Sequence, residues 1–133
     1  MLIRTLNEIV GTDRDVAWGD GRSRRLLIEA DGKGYALTDT YVQPGAEAHL
    51  QYDHHLEACY CVEGSGQVVT ASQVHEITVG TMYCPDQGEP HILRSDHGMR
   101  LVCVFNPPLR GHEAHTLSAD APSSYAPNEM QSA

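Results

Sequence analysis

Between Gly45 and His91 the chain carries a frame of turn residues at short intervals, and this frame most limits what it can fold into. Gly45 is followed by Glu57 and Gly64, and Gly80, Pro85, Gly88 and His91 come after. Helices and strand interiors both tolerate glycine and proline poorly, so such punctuation leaves room only for short extended segments. Those segments read as strands. Residues 24–29 and 35–42 flank Asp31-Gly32-Lys33-Gly34 as a hairpin, and residues 58–63 are rich in Cys, Tyr and Val and bounded by Gly64-Ser65-Gly66. A second hairpin is expected from 67–71 and 74–79 across Ser72-Gln73, followed by strands at 81–84 and 100–105. The last of these must stop at Asn106-Pro107-Pro108, because two prolines cannot continue a ladder. Residues 1–10 are expected as a short strand or irregular arm and 11–21 as a polar loop, with no helix pattern anywhere. Short strands at intervals of about ten residues, separated by turn signals, predict an all-β barrel or sandwich.

The spacing of this frame resembles the paired motifs of the cupin superfamily, which implies a small β-barrel of jelly-roll type with metal ligands inside it. Glu57 and His91 stand at two of the ligand positions, whereas Gln51 and Asp53 occupy the two where a cupin usually keeps histidines. A third ligand must then come from elsewhere. Alternation along 81–84 turns Tyr83 away from Met82 and Cys84, and Tyr83 precedes His91 by eight positions on the neighbouring strand of an expected hairpin, so it can share a cavity with His91. Glu57, Tyr83 and His91 together offer a carboxylate, a phenol and an imidazole, a set suited to Fe(II), Zn(II) or Mn(II). A buried Glu or His in a barrel is as readily a hydrogen-bonded structural residue as a ligand, and both readings stay open at this point. His49, His75, His97 and His112 are expected in solvent, and His54 and His55 are open to a supporting role.

Length and charge remove several classes. The 133 residues suffice for one domain with a real core. The expected division is a barrel at 1–118 and a flexible tail at 119–133, whose composition is that of a terminus. A net charge of −9, with Lys33 the only lysine, argues against nucleic acid or an anionic membrane as partner. Neither a long apolar run nor a signal-peptide pattern is found, so a cytoplasmic location is expected. Of the four cysteines, Cys59 and Cys61 flank Tyr60 on an expected strand and are read as pointing to opposite faces, unable to chelate one ion together. The C-x2-C pairs of structural zinc sites are absent, and buried free thiols are expected. A barrel edge left by the N-terminal arm predicts a homodimer.

A closer resemblance rests on Tyr52-x-x-His55-Leu56-Glu57, on Gly80-Thr81-Met82-Tyr83, and above all on the run at 101–115, Leu-Val-Cys-Val-Phe-Asn-Pro-Pro-Leu-x-Gly-x-Glu-x-His. These residues are similar to the ectoine synthase family. The resemblance implies an iron-dependent cupin, a hydro-lyase that removes water from N-γ-acetyl-L-2,4-diaminobutyrate to give the compatible solute ectoine, used under osmotic stress. It implies Glu57, Tyr83 and His91 as metal ligands. Substrate contacts implied by it are Arg25, Thr40, Cys103 and Phe105, with Thr38 where some members carry asparagine, and Trp18 at a longer spacing from Arg25 than the family pattern. Its catalytic set corresponds to Glu113, His115 and Tyr52. After His115 the chain departs from the usual family ending. Two other functions fit a barrel of this kind: a redox-active cupin dioxygenase or isomerase on another amino-acid-like substrate, and a non-catalytic module that binds a small molecule.

Overall fold

The computed structural model describes residues 1–113. The expected boundary at 118 and the predicted catalytic His115 lie outside them. The described residues form a short helix, α1 (Leu6–Ile9), and nine strands: β1 (Asp15–Ala17), β2 (Gly21–Leu27), β3 (Ala36–Val42), β4 (Ala46–Leu50), β5 (Leu56–Val69), β6 (Val74–Thr78), β7 (Met82–Tyr83), β8 (His91–Ser95) and β9 (Met99–Asn106). Pairing is antiparallel in the order β1-β2-β3-β9-β5-β8-β4, and β6 and β7 also pair with β5. The all-β expectation holds. Among the described residues, no helix is long and apolar enough to cross a membrane.

β5 makes the sheet curl. Its first part pairs with β9 and β7, and its second part with β8 and β6, so one 14-residue strand belongs to two layers. The inward faces of both layers meet in a single core that includes Ala36, Leu101 and Phe105 from one and Ala48, Leu50 and Leu93 from the other. Burying such side chains contributes roughly 1.5–3 kcal/mol each for the larger ones. The sequence reading ended a strand at Gly64-Ser65-Gly66; the chain instead passes straight through. Gly64 has φ +75°, and a Cβ there would lie 2.2 Å from the Gly98 carbonyl oxygen, while one on Gly66 would lie 2.5 Å from that of Arg94. These glycines serve a close backbone approach at a bend, not a chain reversal.

Alternation is strict where it matters. On β9, Met99, Leu101, Cys103 and Phe105 are buried and the residues between them are not. On β5 the buried face is Glu57, Cys59 and Cys61, with Tyr60 exposed between the two thiols. The expectation that Cys59 and Cys61 face opposite ways is therefore wrong: a period of two puts residues i and i+2 on one face. A second correction concerns Tyr83. Its strand, β7, pairs with β5 through Cys59↔Tyr83, whereas β8, which carries His91, pairs with β4 and the far end of β5, so Tyr83 and His91 are not hairpin neighbours.

The N-terminal arm is irregular over residues 1–5, as expected, and then forms α1, for which the sequence shows no helix pattern. Thr5 caps α1 by accepting from the Glu8 amide, and the Glu8 carboxylate accepts from the Thr5 amide in return, a capping box. Arg4 fastens the arm by donating to both carboxylate oxygens of Asp31 at 2.9 and 3.0 Å, and Arg14 donates to the same group. Hydrogen bonds from Arg4 hold the Asp31 carboxyl far below its ordinary value against the opposing effect of burial. Within the expected loop at 11–21, β1 pairs with β2 along the sheet edge.

Candidate active site

Register turns scattered sequence positions into one site. Arg25 on β2 is paired with Thr38 on β3, Thr38 with Cys103 on β9, Cys103 with Cys59 on β5, and Cys59 with Tyr83 on β7. Five strands thus contribute one residue each to a single row across the sheet. The neighbouring row runs Ser23, Thr40, Leu101, Cys61, and the row on the other side places Phe105 beside Glu57. On the opposing layer, His91 of β8 is paired with Leu50 of β4.

A pocket with about 370 Å³ of empty space opens over these rows. Trp18, Thr40, Tyr52, Glu57, Tyr83, Cys103 and Phe105 line it, with Leu50, Leu93 and Leu101 as apolar wall. Mostly apolar walls with a few convergent polar groups are what a small-molecule site requires. Trp18 reaches in from the β1–β2 turn, where its Nε1–H donates to the Tyr41 carbonyl at 3.3 Å. Tyr52 stacks edge-on against Phe105, with ring centroids 5.6 Å apart, and its ring lies 6.1 Å from that of His91. His91 is not itself in the pocket wall; with Tyr83 it borders a second recess under β6 and β7.

The polar atoms are unequally satisfied. His91 Nδ1–H donates to the Glu89 carbonyl at 3.0 Å, which fixes the tautomer and turns the Nε2 lone pair inward. That Nε2 and the Oε1 of Glu57 are buried without a hydrogen-bond partner among the described residues. Burial pushes the Glu57 carboxyl up to about 7, only partly countered by contact with the Cys59 thiol. It also drives the Tyr83 phenol up, helped by nearby Cys59 and Glu57, and moves His91 down toward the neutral form. Glu57, Cys59 and Cys103 bring their donor atoms within 4.8 Å of one another.

Arg25 and Glu113 meet next to Ser23, a residue of the pocket wall. Arg25 is wholly buried; its Nε donates to Ser23 Oγ at 3.2 Å and its guanidinium to the Glu113 carboxylate at 3.4 Å and to the Glu113 carbonyl. Glu113 also accepts the amides of Arg110 at 2.8 Å and Gly111 at 2.9 Å. Burial alone would raise its carboxyl, but these amides and Arg25 outweigh burial and hold it below the usual carboxylate value. Thr38, also wholly buried, shares a hydrogen bond with Thr40 at 2.9 Å. Gln51 and Asp53, at the usual histidine positions, bond each other at 2.9 Å on the loop before β5.

The model of the ectoine synthase family matches residues 1–127. The chain belongs to the ectoine synthase family. An L-ectoine synthase of Desulfatibacillum aliphaticivorans is 50% identical over 119 residues, 86% of this chain and 92% of the relative. The crystal structure of ectoine synthase from P. lautus is 45% identical, covers 84% of this chain and 81% of its own, and superposes with a TM-score of 0.80. A cupin 2 conserved barrel domain protein from Salinispora arenicola, 17% identical with a TM-score of 0.63 over 79% of this chain and 87% of its own, shares the fold alone. The architecture is therefore that of a cupin.

Of the residues singled out by resemblance to the ectoine synthase family, seven line the pocket, while Arg25 and Thr38, wholly buried in the same row as Cys103 and Tyr83, do not. His75, His97 and His112 are exposed as expected, while His49 is half-buried and His55 packs edge-on against Phe105 with centroids 6.3 Å apart. Sequence reasoning missed Ser23 and Cys59. Each stands two residues from a residue that was chosen, Arg25 and Glu57, and the strand period alone would have found both.

Proposed function

We propose that this chain is a lyase that closes N-γ-acetyl-L-2,4-diaminobutyrate into ectoine with loss of water, using Glu57, Tyr83 and His91 to hold a divalent metal, Fe(II) before Zn(II) or Mn(II). The observation that carries the reading is the cross-sheet row from Arg25 to Tyr83, which has a buried cation at one end and, at the other, Tyr83 in the wall of the pocket that Glu57 also lines. The unpartnered Glu57 Oε1 and His91 Nε2 fit an ion, since buried polar atoms are otherwise satisfied. When bound, the ion supplies Lewis-acid polarisation of a carbonyl without redox change.

The chain's own groups do the rest. Arg25 provides a fixed positive charge beside the pocket, suited to the substrate carboxylate. Trp18 and Phe105 confine the four-carbon body so that its α-amine is held against its own acetyl carbonyl, and orientation of this kind replaces a costly encounter. The amine nitrogen forms the new C–N bond and the carbonyl oxygen leaves as water. Glu113, ionised beside Arg25, takes the amine proton, and His115 and the Tyr52 hydroxyl are the other proton carriers. Leu50, Leu93 and Leu101 keep bulk water away from a reaction that expels it.

The same reading places the enzyme in the cytoplasm as a homodimer. Leu56, Tyr60, Met82 and Val104 are exposed on the outer faces of β5, β7 and β9, an apolar surface that a second copy would cover. Incubating the metal-loaded protein with the acetylated diaminobutyrate and following ectoine by chromatography tests the function. No ectoine, with oxygen consumed in the presence of Fe(II), would replace the reading with that of a dioxygenase.

A further inference from the structure

Ser23 stands directly opposite Thr40 across the β2–β3 pair, and both residues line the pocket. Directly opposite residues of an antiparallel pair hold their Cβ atoms about 4.5–5.5 Å apart, so the two hydroxyls open side by side on one face. Each oxygen is filled from behind. Arg25 Nε donates to Ser23 Oγ at 3.2 Å, which leaves the Ser23 proton without an acceptor among the described residues. Thr38 and Thr40 share a hydrogen bond at 2.9 Å, and Thr38 is wholly buried with no other side-chain partner among the described residues. Were Thr38 the acceptor there, its own proton would stay buried and unpaired. Thr38 therefore donates, and the Thr40 proton is left over. Ser23 is 4% exposed, so the pocket is the open side to which its spare proton can turn.

Arg25, in contrast, is absent from the pocket wall, and its guanidinium is turned to the Glu113 carboxylate and carbonyl. A hydroxyl that accepts from a charged N–H becomes a stronger donor in turn, so Ser23 carries the pull of the arginine to the pocket surface.

We propose that Ser23 is a substrate-binding residue, and that its hydroxyl and that of Thr40 donate together to the two oxygens of the substrate carboxylate while Arg25 acts through Ser23. This rests on the reading that the pocket takes N-γ-acetyl-L-2,4-diaminobutyrate, and deepens it by naming the wall residues that meet the carboxylate. Two neighbouring O–H donors match the two acceptor oxygens of a carboxylate, and hydrogen bonds to a charged acceptor are shorter and stronger than neutral ones. Arg25 is then a positioning residue for this end of the substrate.

The test is a calorimetric binding titration on the full-length, metal-loaded protein with two compounds: N-γ-acetyl-L-2,4-diaminobutyrate and its primary carboxamide, which lacks the charge and one acceptor oxygen. Ser23→Ala should weaken binding of the first at least about tenfold and of the second no more than about threefold, the difference between hydrogen bonds to charged and to neutral partners. Thr40→Val, which keeps the side-chain shape, should show the same asymmetry. Melting curves check that each variant folds. Ser23→Cys replaces Ser23→Ala if the latter does not, with the same losses expected because a thiol is a weak donor. If Ser23 only supports Arg25, Ser23→Ala lowers Tm and weakens both compounds equally or neither. Either result would overturn the proposal, while ectoine formation by the parent would leave the reaction reading intact. A parent protein that neither binds the acid nor forms ectoine would overturn both.

Discussion

Replacing Glu113 by glutamine separates the structural use of that carboxylate from its proposed chemical one. The side chain keeps its size and its planar end, but Arg25, wholly buried, loses the negative charge 3.4 Å from its guanidinium. Breaking a buried ion pair by removing one partner costs about 3–5 kcal/mol. Arg25 keeps its bonds to Ser23 and to the Glu113 carbonyl, so the lower end applies, about 3 kcal/mol. In a domain of this size that corresponds to a fall in Tm of about 10 °C. The pH dependence has a definite sign. Burial would raise the Glu113 carboxyl, but the amides of Arg110 and Gly111 and the charge of Arg25 prevail and lower it. The stabilisation is then complete above the unfolded value, near 4.5, and is lost as pH falls through the lower folded value. Melting curves of parent and variant should therefore be about 10 °C apart at neutral pH and converge in acid below that point. Metal content, measured by plasma mass spectrometry, should not change, because Glu57, Tyr83 and His91 are untouched. The rate of ectoine formation should drop by about a hundredfold, the usual scale of a general acid–base group. A variant that melts within about 2 °C of the parent at pH 7 would refute the ion-pair argument. Undiminished turnover with intact metal would remove Glu113 from proton transfer.

Three further outcomes are expected. Glu57→Ala and His91→Ala should each abolish binding of about one divalent ion per chain, and Tyr83→Phe should weaken it; full occupancy in the first two would refute the ligand assignment. Gly64→Ala forces a Cβ to within 2.2 Å of the Gly98 carbonyl at φ +75° and should cost at least about 2 kcal/mol, read as a lower urea midpoint at unchanged slope; an unshifted midpoint would show that the bend relaxes. Light scattering should give twice the 14.6 kDa chain mass at micromolar concentration, and a monomer would contradict assembly through the apolar outer face.

Much of the fold is written in local pattern. β9 could be read from its alternation and its Pro-Pro stop, and the β2–β3 hairpin from its Asp-Gly and Lys-Gly turns. What escaped depends on partners distant in sequence. Gly64-Ser65-Gly66 looks like a terminator until Gly98 and Arg94 are seen pressing on it. Tyr83 looks like a hairpin neighbour of His91 because only the sheet order reveals that β7 turns back to β5. α1 is too short for periodicity to register, although Thr5 and Glu8 carry its signature. The meeting of Arg25 with Glu113, 88 residues apart, has no local trace at all. Cys59 was hidden by a misjudged face, not by missing information.

The row that joins Arg25, Thr38, Cys103, Cys59 and Tyr83 makes the pocket a product of strand alignment, with every neighbouring pair contributed by a different strand. Slipping β9 by a single position against β3 and β5 would still permit a ladder of backbone bonds, yet it would turn Cys103 and Phe105 outward and bring Val102 and Val104 in. A misaligned molecule of that kind would retain the far-ultraviolet spectrum of a β protein and have no working centre. Turnover per folded chain is thus a gauge of alignment fidelity during refolding, one that spectroscopy of the backbone does not supply. It also means that no isolated hairpin of this chain can carry part of the activity, because the row exists only after its most distant pairings have closed.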